Sequence, residues 1–108
     1  MPLTPKKFYG GTLGSSVATL ATIATGQYAE IKQISMTNKG SSNADVYLYL
    51  VESGETLDDT DAFLYKFVIE PNEHVEYGTW QVLSEKATIQ GYASNGDVNM
   101  RISGALSK

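Results

Sequence analysis

The feature that most constrains this chain is a repeat of short alternating segments, each closed by a Gly/Asn/Ser turn, running from about Val17 to Gly104. Alternation of apolar and polar residues with period two marks a strand with one buried face. In ADVYLYLVE, Val46, Leu48 and Leu50 alternate with Tyr47, Tyr49 and Val51. The aliphatic set is predicted to face a core, and the two tyrosines to form a ladder on the opposite face. Val17–Ile23 reads as a first strand and Gln27–Asn38 as a second. In the second, Ile31 has one parity while Ile34 and Met36 have the other. A β-bulge near Lys32–Gln33 would bring all three to one face.

Further along, Ala62–Ile69 sets Phe63, Tyr65 and Phe67 against Leu64, Lys66 and Val68. His74–Tyr77 reads as a short strand that Gly78 breaks before Thr79–Val82. Ala87–Ala93 places Ile89 inward. Asn95–Gly96 is a strong hairpin signal, and Val98, Met100 and Ile102 then alternate with Asn99 and Arg101. No helix-period segment of useful length interrupts these strands. About seven or eight strands at near-ten-residue spacing predict an all-β fold, an antiparallel β-sandwich of jelly-roll or Ig-like type or a closely related barrel, which spacing alone does not separate.

Residues 1–16 differ from the rest, with two prolines, three glycines and two serines. They are predicted as an extended N-terminal arm, with residues 17–108 forming the sandwich domain. Phe8 and Tyr9 stand in that arm, and two large aromatics there predict docking on the arm's own domain or on a neighbouring chain.

Composition narrows the function classes. The chain has 108 residues, 8 Lys+Arg against 12 Asp+Glu, and a formal net charge of -4. The cations are scattered, with Lys6-Lys7 the one adjacent pair, so the basic stripe of a nucleic-acid binder is missing and no nucleic-acid partner is expected. The absence of cysteine excludes disulfides, thiolate metal sites and a cysteine nucleophile. The opening MPLTPKKFYGGTLGSS lacks a signal-peptide apolar core, and no stretch reaches the ~20 apolar residues of a membrane span. A soluble chain without a membrane partner is expected.

Catalytic signals are weak. His74 is the one histidine, beside Glu73 and Glu76 at the start of a short strand, and no nucleophile signature accompanies it. Asp58, Asp59 and Asp61 cluster in one loop, Ser53–Asp61, with Glu52 and Glu55 nearby, but their spacing departs from D-x-D-x-D-G and no glycine holds the turning position. A solvated acidic loop is the plain reading, with adventitious Ca²⁺ or a basic partner as alternatives. No carboxylate pair is marked out for glycoside hydrolysis. No catalytic, cofactor or metal residues are assigned, and a non-enzymatic role is expected. Tyr47, Tyr49, Phe63, Tyr65, Tyr77, Trp80 and Tyr92 could serve as a protein interface, as ordinary strand packing or as a sugar platform. The interface candidates are Phe8, Tyr9, Tyr47 and Tyr49.

Several stretches occur in a characteristic order: Gly10–Ser16 (GGTLGSS), the Thr25-Gly26 turn, Ala29–Asn38 (AEIKQISMTN), the Tyr-Leu-Tyr-Leu strand, Ile69–Glu73 (IEPNE) and Ala87–Ser94 (ATIQGYAS). In this order the chain resembles, over nearly its whole length, the small β-sandwich virion proteins of tailed bacteriophages. These are capsid cement (decoration) proteins and tail- or neck-associated subunits. The resemblance implies a subunit that binds copies of itself, a trimer being the guess, together with the major capsid protein or other virion subunits. It implies location in the virion after assembly in the host bacterial cytoplasm, and it brings no catalytic residues. A receptor- or glycan-binding module is the alternative.

Overall fold

The structure is a computed structural model and describes residues 3–107; Met1, Pro2 and Lys108, which the predicted arm and domain include, lie outside the described residues. Eight strands are present among them: β1 (Leu3–Thr12), β2 (Ala18–Thr22), β3 (Ala29–Asn38), β4 (Ala44–Val51), β5 (Ala62–Ile69), β6 (His74–Leu83), β7 (Thr88–Ala93) and β8 (Val98–Ser107). A 3-10 turn, Asp59–Asp61, precedes β5. One sheet has the order β1-β8-β3-β6 and the other β2-β7-β4-β5, and all pairings are antiparallel. Each sheet thus alternates strands from the two halves of the chain, which is the double Greek-key arrangement of a jelly roll.

The core lies between the sheets. Ile31, Ile34, Met36, Val46, Leu48, Ile69, Leu83, Ile89, Val98 and Ile102 are buried there. Burying an aliphatic side chain of this size stabilises by roughly 1.5–3 kcal/mol. The bulge expected in β3 is present: pairing with β8 shifts between Ile31 and Gln33, leaving Lys32 as the extra residue. All three apolar residues of that strand consequently share the core face. The bulge brings the backbones close, and a Cβ on Gly104, opposite Ile31, would overlap the Glu30 carbonyl oxygen.

Three expectations are corrected. The N-terminal segment is not an arm apart from the sandwich, because Leu3–Thr12 pairs with β8 along its length as an edge strand. Pro5 and the glycines made it look unstructured, but an edge strand tolerates proline and is held by main-chain hydrogen bonds rather than by its own apolar content. Phe8 and Tyr9 are both half-buried against the domain's own core. A register shift between Lys7 and Tyr9 makes Phe8 the extra residue of a bulge, which lets two consecutive aromatics turn toward the core.

In β6 no break occurs at Gly78; the strand runs unbroken for ten residues, and its pairing with β3 shifts instead at Thr79–Trp80. In β5 the expected alternation fails because two irregularities interrupt its pairing with β4. Leu64 is buried, Phe63 and Phe67 pack on the core, and Tyr65 faces outward. Lys66 takes a left-handed φ of 53° at the bulge opposite Tyr47. Phe63 and Phe67 lie 5.5 and 6.1 Å from the ring of Tyr77 on β6, so these three aromatics close the side of the sandwich where β5 and β6 are the edges.

Candidate interaction faces

The outer face of the β2-β7-β4-β5 sheet carries tyrosines. Tyr47 and Tyr92 are direct cross-strand partners, and their rings stack at 4.5 Å with an interplanar angle of 6°. Tyr65 meets Tyr47 edge-on at 5.2 Å and 89° and is 52% exposed. Such aromatic pairs contribute about 0.5–1.5 kcal/mol beyond their burial. Partial desolvation, then the neighbouring Tyr92, Asp45 and Tyr65 hydroxyls and carboxylate, raise the pKa of Tyr47.

Of the residues predicted for this ladder, only Tyr47 remains at the surface. Tyr49 has the expected outward parity but is 4% exposed, because the acidic segment 52–61 folds back against β4. Burial, followed by Tyr92 and by Asp59 of that segment, pushes the Tyr49 hydroxyl up to about 12. The segment is itself ordered by a capping box. Asp58 Oδ1 accepts from the Asp59 amide at 2.7 Å, and the Asp58 amide donates to Asp61 Oδ2 at 3.0 Å. Glu52, Glu55 and Asp59 remain exposed on it. Tyr65 and Tyr92 were legible only as members of a long aromatic roster. Their convergence on Tyr47 depends on register, and for Tyr65 on the β5 bulge.

The outer face of the β1-β8-β3-β6 sheet is polar toward one end. Register places Thr12, Asn99, Thr37 and His74 in one cross-strand row, and Gly10, Arg101, Ser35 and Glu76 in the next. The rows are laced sideways. Thr12 Oγ1 donates to Asn99 Oδ1 at 2.7 Å, and Ser35 Oγ and Gln33 Nε2 donate to Glu76 Oε1 at 2.8 and 2.6 Å. His74 Nε2 contacts Glu76 Oε2, and its Nδ1 lies 2.7 Å from Thr37 Oγ1. Hydrogen bonds from Ser35, Gln33 and His74 hold the Glu76 carboxyl down at about 2. His74 is exposed, and its ring partners are the Glu76 carboxylate and the Thr37 hydroxyl.

Beside this network lies a shallow groove of about 440 Å³, floored where Gly10 and Gly11 lack side chains and lined by Lys7, Thr12, Ser35, Thr37, Asn99 and Arg101. Among the described residues no group of three or more His, Asp or Glu side chains converges in a way that could hold a metal ion. No protein-family model matches the chain, and no curated protein matches it.

Proposed function

We propose that this chain is a non-enzymatic structural subunit of a tailed-bacteriophage virion, a capsid cement protein that stabilises the particle by binding copies of itself and the major capsid protein. The observation that carries the reading is the tyrosine cluster on an outer sheet face. Tyr47, Tyr92 and the half-exposed Tyr65 form a rigid, amphipathic patch, the composition favoured at the centre of protein interfaces. The jelly roll suits the role, since two broad sheet faces present flat surfaces to neighbours. Fold alone does not fix function, and the virion assignment draws on the resemblance of the strand-and-turn sequence.

The test compares particles assembled with and without this chain. Particles lacking it are expected to assemble but to lose infectivity sooner on heating or chelation. Purified virions containing no copies of the chain would overturn the reading. A second reading, a glycan-binding module, is favoured by the exposed edge of Tyr65 beside two stacked rings, a geometry on which a sugar ring can lie. Binding on a glycan array that is lost with Tyr65→Ala would select it.

A further inference from the structure

The two outer faces are complementary to each other. On the β1-β8-β3-β6 sheet, Lys7 folds over Gly10, its Nζ 3.4 Å from where a Gly10 side chain would begin, and Arg101 is the cross-strand partner of Gly10. Two cations therefore sit side by side in the groove of a chain whose net charge is -4. Among the described residues the ion pairs are Lys32–Glu30 and His74–Glu76, so Lys7 and Arg101 have no carboxylate partner. Glu76, the anion in the same row, is already held by three side chains. Toward the other end of the same face the register sets Pro5, Ala105 and Val82 in one row with Glu30, and Trp80 follows on β6. Trp80 and Val82 are 68% and 53% exposed.

The opposite sheet carries the reverse pattern. Its acidic segment, with Glu52, Glu55 and Asp59, lies past Val51, and its tyrosine cluster lies at Tyr47. Because that segment folds back against β4 and covers Tyr49, its carboxylates and the tyrosine rings are neighbours on one face.

We propose that the occupant of the groove is a second copy of this chain, docked with its long axis reversed. Its Glu52, Glu55 and Asp59 meet Lys7 and Arg101, while its Tyr47, Tyr65 and Tyr92 lie over Trp80 and Val82. The two surfaces are different, so the contact is heterologous and propagates into a ring or a filament. This rests on the self-association in the proposed function and names the surfaces that carry it.

Charge reversal tests it by sedimentation velocity, with thermal unfolding confirming that each variant is folded. The double variant Lys7→Glu/Arg101→Glu and the double variant Glu55→Lys/Asp59→Lys are each expected to associate at least about tenfold more weakly than the wild type. Mixing the two is expected to restore association, because every contact then pairs opposite charges. Wild-type association is also expected to weaken as salt rises, since exposed charges are screened. If both variants assemble like the wild type, the docking mode is wrong while self-association stands. If only the groove variant is impaired and mixing rescues nothing, the groove holds some other anion, such as an acidic polysaccharide, and the second-copy assignment fails. If the wild type itself stays monomeric, self-association falls too.

Discussion

Asn38 shows how much one side chain can organise at a sandwich end. It is fully buried, donates from Nδ2 to the carbonyls of Ser42 and Ile69 at 2.8 and 2.9 Å, and accepts from the Gly40 amide at 2.9 Å. Its own backbone bonds to Glu73 and Asn72, so it ties the β3–β4 and β5–β6 connections together. Asn38→Ala leaves two carbonyls and an amide without partners, and urea unfolding is expected to show a loss of about 2–4 kcal/mol. Glu76 sets a pH dependence. Its folded pKa, about 2, lies below the ordinary 4.5, so its contribution is fully present above pH 4.5 and is lost as pH falls through the interval toward 2. Melting temperatures at pH 3 and pH 7 are expected to differ less in Glu76→Gln than in the wild type.

At the scale of elements, the edge strand β1 makes the sharpest demand. Deleting residues 1–12 removes the ladder on β8 and uncovers the core beside Phe8 and Tyr9. Thermal unfolding of the shortened chain is expected to begin well below that of the full chain, with aggregation through the exposed β8 edge. An independent arm would leave the midpoint unchanged. The β3 bulge makes a second demand: Gly104→Ala is expected to abolish the cooperative unfolding transition, because the clash is with backbone and cannot be relieved by a rotamer change. These two elements also show what the residues alone disclosed. The β3 bulge was legible because Ile31 and Ile34 conflict in parity, a conflict only an extra residue resolves. β1 was not, because its order comes from β8's main chain. Nor was the burial of Tyr49, since periodicity assigns a face but not the loop that later covers it. Of the four interface candidates, the surface keeps Tyr47; Phe8 and Tyr9 are half-buried against the core, and Tyr49 lies beneath the acidic segment.

The whole molecule measures 44 × 27 × 18 Å, and its two broad faces differ in chemistry. One joins aromatic rings to carboxylates, and the other joins cations and hydroxyls to Trp80 and Val82. Repeated copies in a closed assembly multiply contacts that are weak singly. A cement subunit uses that multiplication, whereas a tip or receptor module appears in few copies and needs one strong site. The copy number of the chain per purified particle, measured by quantitative mass spectrometry, separates them. For a cement subunit, copies on the order of hundreds are expected, in fixed ratio to the major capsid protein, because a shell offers its repeating sites by symmetry. A handful of copies, or none, would contradict that role.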